Sequence, residues 1–296
     1  MCSLYYHYSS LNVLFSIIPK KKLWLSNLAN SNDPNELYLS CDEYNNYVFN
    51  KLHLDPYHGR PHIADIKKIL GNPYGMSFTN LEDELAQWER YGDRCRGVAI
   101  ALDVPALNEY LQKNYGCNMN FEAVRYTEEE KTEYIKKLIS DMPSFENFCY
   151  KMQWPFVAFH YIMQYAQRRV LFKREGFALE KEYRLYIDLN ETSFYHDSIQ
   201  LLLENSKEEL EEYHKEYEMQ IHKHHLTEQN KKYALMRNGI NSYLSLDLSL
   251  LGDGMESIIK EVIIGPKCMQ NSEELKNFCK ANGFSVTVKR SKIEIV

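Results

Sequence analysis

A run of alternating apolar and polar residues between positions 177 and 189 most constrains how this chain folds. Successive side chains of a β-strand point to opposite faces, so the run predicts a strand with one apolar and one charged face. On the charged face, two carboxylates, Glu180 and Glu182, would lie close enough for each to raise the pKa of the other. The apolar parity consists of Phe177, Leu179, Tyr183, Leu185, Ile187 and Leu189, and the other parity of Ala178, Glu180, Glu182, Arg184, Tyr186 and Asp188.

The charged face of this strand has two interpretations. One is an edge strand with a solvated face, on which Arg184 forms an ion pair with the glutamates. The other is a strand that lines a functional site, because carboxylates with mutually shifted pKa values cluster at such sites. The stretch alone favours the solvated edge strand.

Length and composition indicate an ordinary globular protein. The 296 residues suffice for one large domain or two small ones, and 44% of them are hydrophobic. The absence of an internal repeat or low-complexity linker favours a single domain over residues 1–296. The net charge of −6 argues against a protein wrapped broadly on nucleic acid.

The cysteines and the hydropathy pattern predict a cytoplasmic location without membrane association. The seven cysteines are scattered and form no Cys-x-x-Cys pair, which is typical of reduced thiols rather than a disulfide scaffold or zinc site. No stretch reaches the length of a membrane-spanning helix, and the first residues lack the pattern of a signal peptide.

The order of predicted elements favours the α+β class. Strands and helices follow one another without regular βαβ alternation. Two segments, at about 104–172 and 204–237, are predicted to be helical insertions. The predicted strands are at 4–8, 23–26, 75–79, 97–102, 243–246, 261–265 and 285–289, and further helices at 11–18, 81–91 and 273–282.

Three separated segments carry chemically informative residues. The first has a histidine on a strand, His7, followed by Ser9 and a helix. The second runs from Ser77 through Thr79 into a helix that carries Trp88 and Tyr91. The third is the Glu-x-Glu-Tyr-Arg run that begins at Glu180.

Together these segments resemble the ADP-ribosyltransferase fold of the His-Tyr-Glu type. More closely, the chain resembles DUF2971, a bacterial family of unknown function, over nearly its whole length. The resemblance implies a mixed or antiparallel β core of the ADP-ribosyltransferase kind with helical insertions. The motifs that carry it, in chain order, are Tyr6 to Ser9, Asn32 to Pro34, Phe78 to Tyr91, Glu180 to Arg184 and Ile263 to Pro266.

The resemblance also implies catalytic roles for three residues, with NAD as the substrate. Breaking the nicotinamide–ribose bond passes through an oxocarbenium-like ribose, which a carboxylate stabilises. Glu182 matches this position, Glu180 matches the position that orients an acceptor, and His7 would bind the adenosine-side ribose. Considered alone, His7 is more often a hydrogen-bonded strand histidine than a ligand-binding one.

The same resemblance assigns the remaining NAD contacts. The backbone of Tyr8 would hold the nicotinamide carboxamide, although these transferases usually have glycine there. An aromatic ring would stack on the nicotinamide; Trp24, Phe78, Trp88 and Tyr91 compete for this position, and Tyr91 ranks first. Trp88 and Tyr91, three residues apart on a helix, also suit core packing. The other expected contacts are Ser9, which also suits a helix N-cap, Thr79, and Arg237, which would meet the diphosphate or form a surface salt bridge.

Three functions follow from these assignments. The first is a mono-ADP-ribosyltransferase, a glycosyltransferase that modifies an unknown protein or nucleic-acid acceptor, in the context of a bacterial toxin or antiviral defence. The second is a catalytically inactive module with the same fold that binds a nucleotide or a protein. The third is an NAD glycohydrolase. The resemblance leaves open an antitoxin or activator as a further partner.

Overall fold

The computed structural model describes residues 4–30, 36–39, 44, 46–47, 72–115, 119–140, 165, 168–188, 230–236, 239–249 and 258–295. The strands are β1 (Tyr5–Ser9), β2 (Lys22–Asn27), β3 (Pro73–Thr79), β4 (Val98–Leu102), β5 (Asn120–Ala123), β6 (Glu182–Asp188), β7 (Lys232–Met236), β8 (Gly239–Asp247), β9 (Ile259–Ile264) and β10 (Thr287–Arg290). The α-helices are α1 (Leu11–Lys20), α2 (Leu85–Arg90), α3 (Val104–Tyr115), α4 (Glu128–Ser140) and α5 (Ser272–Ala281).

The ten strands form one mixed sheet that is mostly antiparallel. Its order is β10-β9-β4-β1-β3-β2-β8-β7, and β6 pairs with both β3 and β5. The pairing of β9 with β10 is parallel, whereas the other strand pairs are antiparallel. The predicted α+β class is therefore confirmed.

Helices cover one face of the sheet and form the main core. Helix α1 begins after Ser10, whose Oγ accepts a hydrogen bond from Val13 N at 3.3 Å, as an N-cap does. Ser10, rather than Ser9, is thus the cap of this helix. Apolar side chains of α1, α3 and α5 pack on β4, β9 and β2, and burial of each large aliphatic side chain contributes roughly 1.5–3 kcal/mol.

A smaller cluster lies on the other side of the sheet. It joins alternate residues of β1, Tyr6 and Tyr8, to Trp88 of α2 and to small residues of β4. Trp88 is fully buried, and its Nε1 donates a hydrogen bond to Asp83 at 2.7 Å. Tyr5, which alternates with these tyrosines on β1, packs against the main core.

The strand predicted over residues 177–189 is shorter than its alternation indicated. Residues Glu175–Glu180 form a 3₁₀ helix, and the strand begins at Glu182. Lys181, between them, has a left-handed backbone with φ 43°, which turns the chain and ends the alternation. The prediction of one continuous strand is wrong for residues 177–181, and residue 189 lies outside the described residues.

The interpretation of this strand as a solvated edge is also wrong. β6 pairs with β3 along its whole length and with β5 on its other side. Its charged residues Glu182 and Arg184 are 6% and 2% exposed. The predicted ion pair between them is present, but it is buried.

The two predicted insertions differ from their prediction. The first contains helices α3 and α4, as expected, but also strand β5 between them. In the second, residues 232–236 form strand β7 instead of continuing a helix, and residues 204–229 lie outside the described residues. Within the described residues, no helix combines the length and apolar character needed to cross a membrane.

The sheet splits beside β3, and this split positions the candidate site. Thr79 pairs with Glu182 of β6 and with Tyr6 of β1, so β1 and β6 lie on opposite edges of β3. Tyr74 pairs with both β6 and β2, so β2 shares the edge used by β1. The centre of this edge, around Ser77, is left between two diverging strands.

Candidate functional site

A cavity of about 350 Å³ opens at the split between β1, β2 and β3. This volume falls within the range of small-molecule sites, roughly 300–1,000 Å³. Three carboxylates and two cations lie among its walls. The lining residues that bear on the chemistry are Tyr6, His7, Tyr8, Ser26, Asn27, Asn30, Glu36, Ser77, Phe78, Thr79, Gln87, Tyr91, Lys173, Phe177, Glu180, Glu182, Arg184 and Asn241.

Glu182 is the most completely coordinated carboxylate of this cavity. Its Oε1 accepts hydrogen bonds from Ser77 Oγ at 2.5 Å and Arg184 Nε at 2.6 Å. Its Oε2 accepts from Lys173 Nζ and Arg184 Nη2, each at 3.0 Å. The strand β6 places Arg184 two residues on, hence on the same face as Glu182.

These cations set the charge of Glu182. Burial raises the pKa of its carboxyl, but Arg184 and Lys173 outweigh burial and lower the pKa to about 2. The carboxylate is therefore ionised at neutral pH. The expectation that the neighbouring glutamate raises the pKa of this group is wrong, because the pKa is lowered by two cations that contact its oxygens directly.

Glu180 reaches the same cavity from the end of the 3₁₀ helix. Its Oε1 accepts from Tyr91 Oη at 2.5 Å, and its Oε2 accepts from Lys173 Nζ at 2.6 Å. Its carbonyl accepts from Gln87 Nε2 at 2.9 Å. Burial and the carboxylate of Glu180 raise the pKa of Tyr91, so its hydroxyl stays protonated and donates. Glu180 and Glu182 are thus joined through Lys173.

Arg184 extends this network away from Glu180. Its Nη1 donates to Val170 O at 2.6 Å, and its Nη2 forms an ion pair with Glu36. Burial lowers the pKa of Arg184, but Glu182 and Glu36 raise it more, so the guanidinium remains charged. The network alternates in sign from Glu36 through Arg184, Glu182 and Lys173 to Glu180.

His7 closes the gap between the diverging strands. Its Nδ1 lies 2.9 Å from Ser77 O, and its ring meets the edge of Phe78 with centroids 5.9 Å apart. Burial lowers the pKa of His7, which the hydrogen bond to Ser77 partly offsets. A neutral imidazole that donates from Nδ1 keeps Nε2 as an acceptor.

The structure brings six of the predicted site residues to one cavity and leaves two outside its lining. Ser9 ends β1 beside Val98, and Trp88 packs edge to face on Tyr8 in the smaller core. Of the two candidate rings on this segment, Tyr91 lines the cavity and is 39% exposed, whereas Trp88 is buried. The six are His7, Tyr8, Thr79, Tyr91, Glu180 and Glu182; Arg237 lies outside the described residues.

Sequence reasoning missed several residues of this site. Lys173 and Glu36 carry no periodic or motif signal, since each sits next to a 3₁₀ helix or within one. The sequence indicates Ser77 only as part of a strand. Its polar side chain within the apolar strand β3 was the available signal, because a polar residue in such a strand needs a partner.

Fold and site together define an α+β protein with a charged cavity at a split in a mostly antiparallel sheet. Residues 87–185 match the family model DUF2971, whose description is protein of unknown function. The family predicted from the motifs is therefore confirmed over that stretch, about a third of the chain, which includes Tyr91, Lys173, Glu180, Glu182 and Arg184. No curated protein and no solved structure matches the chain.

Proposed function

We propose that this protein is an NAD-consuming mono-ADP-ribosyltransferase that acts on a protein or nucleic-acid target, built on an ADP-ribosyltransferase-like core. The observation that carries the proposal is the ionised, buried carboxylate of Glu182 on the wall of a cavity that also holds Glu180 and Tyr91. Such a fixed negative charge is what a positively charged ribose in a transition state requires.

In the proposed reaction the bond between C1′ of the ribose and the nicotinamide nitrogen breaks. The electron pair leaves with nicotinamide, and the ribose becomes cationic until an acceptor nucleophile bonds to C1′ and loses its proton. Glu182 faces the ribose cation, and Glu180 orients the acceptor. The ring of Tyr91, held by its hydrogen bond to Glu180, offers a face to the nicotinamide.

The charges of the cavity restrict how a dinucleotide would lie in it. Both lining cations, Lys173 and Arg184, are engaged by carboxylates. Three carboxylates against two cations suit the cationic nicotinamide end of NAD better than its diphosphate. The volume of about 350 Å³, near the lower end for ligand sites, agrees with a cavity that holds this end of the molecule.

A second candidate function is a catalytically inactive binding module. Both oxygens of Glu182 already accept hydrogen bonds from Ser77, Arg184 and Lys173. A carboxylate whose oxygens are all hydrogen-bonded within the protein is also typical of an ion-pair network with a purely structural role. In addition, Tyr8 stands where the resemblance leads one to expect glycine, which limits how closely a ligand approaches the backbone.

Incubation of the purified protein with NAD labelled in its adenylate part, with and without bacterial cell extract, tests the proposal. The transferase should release nicotinamide and attach the label to a macromolecule of the extract. A Glu180→Gln variant should lose the transfer of label while it still releases nicotinamide, because the acceptor is no longer oriented. Release by the wild type without any transfer would indicate an NAD glycohydrolase.

Two outcomes would contradict the transferase. If the wild type binds NAD but releases no nicotinamide with any extract, the binding module is the better account. If calorimetric titration shows no binding of NAD, both accounts of the cavity as a site for NAD fail.

A further inference from the structure

Lys173 is the described cation that contacts both Glu180 and Glu182. Its Nζ lies 2.6 Å from Glu180 Oε2 and 3.0 Å from Glu182 Oε2. Within the described part of the chain, Arg184 contacts Glu182 and Glu36, and Arg90 contacts Glu180 at 3.5 Å. The link between the two carboxylates therefore depends on a single ammonium group.

The backbone fixes where this ammonium group lies. Lys173 N donates to Arg125 O at 3.0 Å, and Arg125 N donates to Leu171 O at 2.7 Å, so both sides of Phe172 are bound to the segment after β5. The lysine is 8% exposed, and its Nζ lies 5.0 Å from the centre of the Phe177 ring. Phe177 belongs to the same 3₁₀ helix as Glu180, so one short segment supplies a carboxylate and a ring to the ammonium group.

Arg184 alone does not replace this arrangement. Arg184 binds Glu182 through Nε and Nη2, Val170 O through Nη1 and Glu36 through Nη2. These donors are therefore engaged by groups other than Glu180. Without an ammonium group between them, two buried carboxylates that share one site repel each other, and one of them binds a proton.

We propose that Lys173 is a positioning residue that holds Glu180 and Glu182 on one wall of the cavity as an ionised pair. The role of the ionised pair in catalysis rests on the proposed function, whereas the effect of Lys173 on the two carboxylates does not. Burial lowers the pKa of Lys173, but Glu182, with Glu36 and Glu180, raises it above its ordinary value in spite of Arg184. The ammonium group is therefore charged wherever the carboxylates are ionised.

Other charged and titratable groups face this pair from every neighbouring element, and they remain when Lys173 is replaced. Arg184 keeps Glu182 partly compensated, so we expect the proton to be taken up by the pair rather than by one fixed member. The groups are Glu36 on its 3₁₀ helix, Arg184 on β6, Arg90 and Tyr91 at the end of α2, and Tyr126, whose Oη accepts from Glu182 N at 2.8 Å.

The test is a pH titration of the glutamate side-chain carboxyl carbons by NMR in the wild type, Lys173→Met and Lys173→Arg. Glu180→Gln and Glu182→Gln variants assign the two signals. In Lys173→Met, at least one carboxyl of the pair should titrate about one to three pH units higher than in the wild type. Lys173→Arg retains the positive charge, so its Glu180 and Glu182 carboxyls should titrate close to those of the wild type. Unchanged titration of both carboxyls in Lys173→Met would overturn the proposal.

A second variant keeps the test decisive if Lys173→Met does not fold. The double variant Lys173→Met with Glu180→Gln removes one charge of each sign. It should fold more readily than Lys173→Met alone, and its Glu182 should titrate at a lower pH than in Lys173→Met because the repelling carboxylate is gone. A double variant that is as unstable as the single one would contradict the role of Lys173 as a link between the glutamates.

Measurement of nicotinamide release distinguishes a failure of the proposed role of Lys173 from a failure of the proposed transferase function. In Lys173→Met, the loss of release on acidification should begin about one to three pH units higher than in the wild type, because release requires the ionised carboxylate of Glu182. A wild type that releases no nicotinamide would count against the transferase, while the NMR titration would still decide the role of Lys173.

Discussion

Two carboxylates on neighbouring strands, Glu182 of β6 and Glu122 of β5, are stabilised in different ways. Glu182 is bound by Arg184 and Lys173, and its side chain is 7% exposed. Glu122 accepts hydrogen bonds from Tyr134 Oη at 2.8 Å and Tyr186 Oη at 3.1 Å, and its side chain is 30% exposed. Solvent and Arg125, at 3.8 Å, compensate the charge of Glu122, whereas the buried Glu182 depends on two cations in closer contact.

The two carboxylates also differ in their surroundings. Glu182 lies in a cavity wall, and two buried cations, Lys173 and Arg184, stabilise its negative charge. Burial and the carboxylate of Glu122 raise the pKa of Tyr134, so that tyrosine remains a donor and closes the contact between α4 and β5. We therefore expect perturbation of the first cluster to affect both stability and activity, and perturbation of the second to affect stability alone.

The largest expected difference in stability concerns the two arginines. Arg184→Met leaves Glu182 and Glu36 buried without their shared cation, and it should lower the free energy of unfolding by about 3–5 kcal/mol. Arg125→Met is the matched control. Arg125 lies 3.8 Å from Glu122 and 4.4 Å from the centre of the Tyr134 ring, so its loss should lower the free energy of unfolding by about 1 kcal/mol.

Urea unfolding of both arginine variants at neutral pH measures this difference. Equal losses of unfolding free energy in the two variants would show that the cavity cluster depends on Arg184 no more than the partly exposed cluster around Glu122 depends on Arg125.

The acid dependence of stability is the next largest effect. The pKa of Glu182 is lowered from 4.5 to about 2 in the folded protein. Its ionised carboxylate therefore contributes about 3 kcal/mol above pH 4.5, and this contribution is lost as the pH falls through about 2. Glu182→Gln lacks it at every pH, so the difference in unfolding free energy between wild type and variant should shrink towards acid pH.

Urea unfolding of the wild type and Glu182→Gln at several pH values between about 5 and 2 checks this prediction. A difference that stays constant over this range would mean that the folded state does not favour the ionised carboxylate of Glu182.

Hydrogen bonds from tyrosines give the smallest expected effect. Tyr91→Phe leaves a buried oxygen of Glu180 with Arg90 at 3.5 Å, and it should lower the free energy of unfolding by about 1.5–3 kcal/mol. Tyr134→Phe should lower it by about 0.5–1.5 kcal/mol, because water replaces the hydroxyl at the more exposed Glu122. A larger loss in Tyr134→Phe would reverse the comparison.

Element types were predicted well from the sequence where periodicity was strong. The buried run of β4 and the capped helix α1 lie where their patterns indicated. The stretch around Glu180 was not predicted, because apolar alternation continues through a 3₁₀ helix whose end depends on the left-handed backbone of Lys181. Strand β5 was missed because its four residues lie between two helices and follow no clear alternation.

Two of the three carboxylates of the site were predicted from the sequence, but its charge balance was not. Glu180, Glu182 and His7 stand in motifs that can be read along the chain, and all three line the cavity. Lys173 and Glu36 join them only through the fold. Glu36 comes from a segment distant in sequence, and Lys173 from irregular chain seven residues before Glu180. The pKa of Glu182 therefore changes in the opposite direction from the one that neighbouring carboxylates alone would produce.

Nicotinamide release from NAD by the wild type, Glu182→Gln and Glu122→Gln, each assayed under conditions in which it is folded, tests the central claim most directly. The account predicts that Glu182→Gln loses release by a factor of about 10² or more, while Glu122→Gln stays close to the wild type. Equal release by the wild type and Glu182→Gln would contradict the assignment of the buried carboxylate to the ribose cation.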